Sequence, residues 1–423
     1  MTGEAKIQTQ KTTAETGENT WDRGYEIRAI ALMSVGFGLV GLDRFIIYPL
    51  FPVMAEDLGL TYQHLGLISG VLALTWGLSS VFAGSLSDRF GAKRILIVST
   101  IAFSFLVGLS GLAVGLISLL IIRGLMGIAE GGFVPASIVA TIDASKPTRI
   151  GMNVGIQQMA APLIGLGFGP LIAVGLLAVL PGWEWVFVLV ALPGLVLAYM
   201  LHRVIKTPPA TRSTRGDKIP FLAPFKHRNI VFAVLGMFCF FSCLNVLSTF
   251  MPSYLTDHVK LPIGQMGAVL SALGVGGFIG MVIVPAFSDR FGRKRVILIA
   301  LVVEIAALFA AMNAGANVPI LAISLFVVSF LNSGVVAITV GPLVNEAVPP
   351  AIAATATGFV VGLGEVFGGA VAPAIAGAAA QTMGIDIILK IALVAAILGV
   401  LVVAFGIKEP SATDASTAEP VSA

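Results

Sequence analysis

Four ionisable residues stand inside apolar runs where little else is charged: Asp43 and Arg44 in the first run, Arg123 and Glu130 in the fourth. Their chemistry is that of proton and anion handling. A carboxyl taken out of water favours its neutral form, a neighbouring guanidinium favours the carboxylate, and opening or closing access to water alters both influences. An acid so placed can load a proton on one side of a barrier and release it on the other. Arginine does not titrate, so Arg44 and Arg123 suit the holding of a substrate carboxylate. Arg123 and Glu130 are two helical turns apart and share a face; at the helical rise Glu130 lies roughly 10 Å further along. A static ion-pair network that only fixes helix packing is the alternative use of the same groups.

The elements that must position these residues are membrane-crossing helices. The chain has 423 residues, 57% hydrophobic and 11% charged, against roughly 25% charged in soluble domains; its mean hydropathy is +0.99. Apolar runs of about 20 residues, each enough to cross the hydrocarbon layer, recur along the length. In lipid every backbone N–H and C=O needs an internal partner, so each run is read as a helix. Twelve spans are expected, near 29–52, 63–87, 94–114, 117–142, 151–176, 184–205, 229–255, 262–287, 295–314, 318–345, 351–380 and 384–407. The fold class is an all-α membrane protein with two pseudo-symmetric six-helix halves, 29–205 and 229–408. The proline-rich, basic stretch 206–228 links them, and residues 1–28 and 409–423 are read as polar tails.

Lysine and arginine set the orientation. Of 25 such residues, Arg44 and Arg123 fall within spans and Lys260 and Lys390 on one side. The rest lie in the tails and alternate loops on the other side, which places both termini and the linker in the cytoplasm. The same distribution accounts for the net charge of +3 without a nucleic-acid partner. Cys239 and Cys243, one turn apart in an apolar run, read as small buried residues. No nucleotide-binding lysine motif, metal-ligand spacing or nucleophile–base pair is found, so no cofactor and no enzymatic activity are expected.

A loop motif repeats. Gly84-Ser-Leu-Ser-Asp88-Arg89-Phe90-Gly91-Ala-Lys93-Arg94 falls between spans two and three, and Ser288-Asp289-Arg290-Phe291-Gly292-Arg293-Lys294-Arg295 between spans eight and nine. Gly91 and Gly292 permit sharp turns. Asp88 and Asp289 are fixed negative charges among cations, able to latch one side shut and to break when the halves rock. Two repeated halves imply a substrate site between them near the midplane.

Over essentially the whole chain this pattern resembles the major facilitator superfamily, whose signature here is Gly-x-x-x-Asp-Arg-x-Gly-Arg-Arg-like; the first copy departs at Ala92-Lys93 and the second carries Pro285. Leu42-Asp43-Arg44, Arg123-Gly-Leu-Met-Gly127-Ile-Ala-Glu130-Gly131, Gly182-Trp-Glu-Trp-Val-Phe187 and Thr355-Ala-Thr-Gly-Phe359 further resemble the anion:cation symporter family of galactonate, hexuronate and sialic acid transporters. That resemblance implies proton coupling and anion recognition by Asp43, Arg44, Arg123 and Glu130. The chain carries Trp76 where that family often has Tyr, and Glu365 where it often has Asn. Both positions are implied to line the cavity, with Glu365 a third titrating group or an acceptor for a substrate hydroxyl or amine. Glu304, in a span usually peripheral in this fold, is read as incidental. Gln158 rather than the adjacent Gln157, and Asn332, are candidate substrate contacts; Asn332 and Asn245 serve interhelical bonding equally well.

The expected function is proton-coupled uptake of a small organic anion by alternating access, in a monomer of the bacterial inner membrane. A proton-driven drug or metabolite exporter is the alternative, suggested by Gly165-Leu-Gly-Phe-Gly169-Pro170, which matches part of an antiporter signature but continues to Ala173-Val174. The expected partners are the anion, protons and the bilayer.

Overall fold

The computed structural model describes residues 22–206 and 223–408, apart from the side chains at 81, 83–89, 350, 351 and 354. Eleven described helical segments are long and apolar enough to cross a membrane, and the helix Tyr62–Phe90, 29 residues long, completes a set of twelve. In chain order they are α1 (Arg23–Leu58), α2 (Tyr62–Phe90), α3 (Ala92–Ser110), α4 (Leu116–Ala144), α5 (Pro147–Leu177), α6 (Trp183–Val204), α7 (Arg228–His258), α8 (Ile263–Phe291), α9 (Arg293–Met312), α10 (Val318–Ala347), α11 (Thr355–Met383, its first turn beginning at Pro350) and α12 (Ile387–Gly406). Residues 1–21 of the tail expected over 1–28, the tail expected over 409–423 and most of the linker fall outside the described residues.

The first helix begins at Arg23, inside the stretch read as tail. Asp22 caps it, accepting a 2.9 Å bond from the Tyr25 backbone N–H, and that bond holds the Asp22 carboxyl below its usual range. Glu26 accepts from the Lys146 N–H at 3.1 Å and from Asn153 Nδ2 at 2.8 Å, so the polar first turn is spent on capping and on docking to the α4–α5 connection. A hydropathy pattern sees only the apolar part that follows.

The packing repeats between halves. α1 lies on α5 as α7 lies on α11; α2 on α4 as α8 on α10; α3 on α6 as α9 on α12. The seam between halves is built the same way, with α2 against α11 and α5 against α8, and α1 meets α7. The seam is tight on the side away from the termini. A Cβ on Gly70 would stand 2.8 Å from the Ala370 carbonyl oxygen, and one on Gly377 2.6 Å from that of Tyr62; Gly274 lies directly on the Gly167 backbone. Small residues let backbones approach this closely. On the side that carries the termini the halves part: a Cβ on Gly151, Gly155, Gly341, Gly358 or Gly362 would meet nothing within 4 Å. Of the Gly-x-Gly clusters, Gly274 and Gly276 pack backbone to backbone, Gly364 meets Met237 and Phe241, and Gly362 faces the open side. Gly165 of the antiporter-like stretch packs on the Gly41 backbone.

Side chains clasp the closed side. Tyr62 donates to Asp257 Oδ2 at 2.7 Å and its backbone N–H to Gln381 Oε1 at 3.2 Å, joining α2 to α7 and α11. These residues line a cavity of about 290 Å³ together with Phe51, Pro52 and Leu60. Tyr62→Phe removes the hydroxyl and leaves Asp257 without that donor. It is expected to favour separation of the halves on this side, read as a longer spin-label distance between Glu56 and Lys260. An unchanged distance would show that the clasp does not hold the seam.

Candidate functional site

The site is organised by a break in α1. The helix is divided at Ile46, between Arg23–Phe45 and Ile47–Leu58, although Ile46 itself keeps helical geometry and its N–H still donates to the Leu42 carbonyl at 2.8 Å. Pro49 and Pro52 carry no N–H to offer the Phe45 and Tyr48 carbonyls one turn back. Arg123 of α4 bonds the α1 backbone just before this division. Its Nη1 donates to the Asp43 carbonyl at 3.0 Å and, more weakly, to that of Arg44 at 3.5 Å. Arg123 is 1% exposed, and its Nε and Nη2 have no protein partner.

Arg44 points to the other half. Its Nη2 pairs with Glu365 Oε1 on α11, and its guanidinium lies 5.6 Å from the Phe45 ring and 5.9 Å from that of Trp76. Such cation–ring contacts contribute up to about 2 kcal/mol when desolvated. Glu365 opens a π-helical turn, Glu365–Val371, of the kind often found at functional sites. A Cβ on Gly369 would stand 2.8 Å from the Glu365 carboxyl carbon, so the absent side chain at Gly369 makes room for the carboxylate.

Asp43 and Glu130 are 2% and 0% exposed. Asp43 Oδ1 and both Glu130 carboxyl oxygens have no protein hydrogen-bond partner. Asp43 lies within electrostatic reach of Glu130 and Arg123, and Glu130 of both arginines. Four of these groups lie on α1 and α4 of the first half, and Arg44 joins them to Glu365 of the second, so that three carboxyls and two guanidiniums leave one negative charge in excess when all are ionised. Burying uncompensated charge is expensive, and a single proton on the group removes the excess.

The floor toward the closed side was not singled out from the sequence. Tyr48, one turn beyond Arg44, meets Ser69 of α2 at 2.9 Å, and Ser69 meets Thr249 of α7 at 3.2 Å. A tyrosine one turn past a buried arginine on an apolar helix was the available signal.

The remaining candidates differ in their surroundings. Gln157 is fully buried and tied to Thr141 and Ser137 of α4 at 2.6 Å each, whereas Gln158 is half-buried with Oε1 unpartnered. Asn332 is not brought to this group. It is 1% exposed, and its Nδ2 donates at 3.0 Å to Glu304, which also accepts from Cys243 Sγ at 3.2 Å. A lone amide in an apolar helix has paired with the nearest buried carboxyl; its expected role as a substrate contact is corrected to packing within the second half. Asn245 bonds its own helix at the Phe241 carbonyl.

In the loop motifs, Gly91 and Gly292 adopt φ of 84° and 90°, the turn conformation expected of glycine. Arg94 and Arg290 are exposed. Asp289 pairs with Arg293, which also bonds Glu346 at the end of α10 at 2.9 Å. These contacts tie α8, α9 and α10 of one half and do not bridge the halves, because the halves stand apart on that side. The backbones of Gly84, Asp88 and Arg89 belong to α2, but their side chains lie outside the described residues. No group of three or more metal-ligating side chains occurs among the described residues.

A family model described as Major Facilitator Superfamily matches residues 33–361 and 233–422. The chain is 31% identical to the hexuronate transporter of Bacillus subtilis (strain 168) over 63% of its own length and 66% of that protein's. It is 27% identical to the sialic acid transporter NanX of Escherichia coli (strain K12), over 89% of this chain and 94% of that one. A bacterial homologue of the human lysosomal transporter Spinster, solved inward-facing and unoccupied, superposes with a TM-score of 0.76 at 17% identity, covering 91% of this chain and 98% of that one.

Proposed function

The chain belongs to the major facilitator superfamily, and on that premise we propose that it is a proton-coupled symporter of a small organic carboxylate, working by alternating access. The observation that carries this reading is the buried group of three carboxyls and two arginines, tied across the halves by Arg44 and Glu365, with neither Glu130 oxygen hydrogen-bonded to the protein. Arg123, with two N–H groups unpartnered, and Arg44 bind the carboxylate. Trp76 and Phe45 flank Arg44, and Gln158 offers a further polar contact. Asp43 and Glu130 carry protons, their balance set by access to water and by the arginines. The relatives named for hexuronate and sialic acid transport point to acidic sugars as the first substrates to try.

With the termini in the cytoplasm, as the lysine and arginine distribution favours, the parted side faces inward and the clasped side outward. Substrate and proton then leave on the parted side, past Gly358 and Gly362. Proteoliposome uptake tests the reading. A labelled hexuronate or sialic acid is expected to accumulate when the outside is acidic and to stop accumulating on addition of a protonophore. Equal uptake with and without a proton gradient would reject the coupling.

A further inference from the structure

Arg44 already holds an anion: the carboxylate of Glu365, a residue of the opposite half. We propose that Glu365 is the chain's own occupant of the substrate position on Arg44, and that every carboxylate landing there is matched by one proton taken up on Glu365. This rests on the reading of the group as a carboxylate site and assigns Glu365 its part in it.

Three observations support the exchange. The pair is shut away, with 13% of the Arg44 side chain and 6% of that of Glu365 exposed, so the charge held there must stay balanced. The place for Glu365 is built: the π-helical turn begins at this residue, and the missing side chain of Gly369 leaves its carboxyl room. The pair also stands next to open space, since α11 presents Gly358 and Gly362, with nothing within 4 Å of a Cβ, in the two turns before Glu365.

The neighbours leave few competing proton acceptors. α1 contributes Asp43, Arg44 and Tyr48, and α4 contributes Arg123 and Glu130. α2 carries no ionisable residue between Leu65 and Ser80, and α7 offers only Cys239 and Cys243 at this level. The step conserves charge. A proton from the open side adds to a Glu365 carboxylate oxygen, the ion pair to Arg44 parts, and the incoming carboxylate pairs with the guanidinium. Arginine and carboxylate balance before and after. Without the proton, two carboxylates would contend for one guanidinium in a desolvated place.

Calorimetric titration of the purified protein in two buffers of different ionisation enthalpy counts protons taken up on binding. The probes are D-glucuronate, N-acetylneuraminate, benzoate and succinate. Wild type is expected to take up one proton more per carboxylate bound than Glu365→Gln, whose binding also becomes less dependent on pH. Equal proton counts in the two proteins would overturn the exchange and leave the carboxylate reading intact. No binding of any probe to wild type at any pH would remove both. Should Glu365→Gln fail to fold, carbodiimide labelling of wild type decides. Labelling at Glu365 rises with the bound probe if the acid is released protonated from Arg44, and an unchanged level overturns the proposal.

Discussion

Glu130→Gln is expected to abolish proton-driven accumulation while substrate exchange across proteoliposomes continues. Glutamine has nearly the shape of the protonated acid and cannot give up a proton. Glu130 is fully buried, and neither oxygen bonds the protein, so the substitution breaks no hydrogen bond and leaves no charge stranded. What is lost is the ability to change charge state between the open and closed conformations. Accumulation should fall to the level seen without a gradient, with counterflow of labelled against unlabelled substrate retained. Equal loss of both activities would contradict a dedicated coupling role.

Arg123→Ala is expected to remove anion binding. Truncating one partner of a desolvated charge pair costs about 2–5 kcal/mol, so affinity should fall by at least about thirtyfold. Arg123 has a second duty, since its Nη1 ties α4 to α1 by donating to the Asp43 carbonyl. Alanine therefore also lowers the melting temperature. Arg123→Gln separates the two duties, because an amide can still donate to the carbonyl but carries no charge. It should lose binding while melting closer to wild type. Wild-type affinity in Arg123→Gln would take the guanidinium out of the binding site.

The architecture was legible because lipid leaves the backbone one choice and the apolar runs count the helices. The start of α1 was not, since its first turn is polar for capping and docking. Nor were the π-helical turns, such as that at Glu365, which depend on what the helix packs against. Within the candidate site, a charged residue in an apolar run announces itself, so Asp43, Arg44, Arg123, Glu130 and Glu365 could all be named from sequence. Who faces whom could not. Arg44 and Glu365 are 321 positions apart, and nothing local in either segment specifies the other. Asn332 illustrates the limit from the opposite direction: an amide in a membrane helix says that a partner exists, and only the packing of α7, α9 and α10 shows that it is Glu304.

The glycine-lined seam between α2 and α11, mirrored by that between α5 and α8, has a bearing on how the two halves can slide apart and rejoin. Where backbone rests on backbone, as at Gly70 and Gly274, there is no side chain to swing aside and the approach is too close to admit water between the two chains. The same smoothness lets the seam unzip without reshuffling rotamers. A single methyl at Gly70 would wedge against the Ala370 carbonyl and hold the two helices off each other.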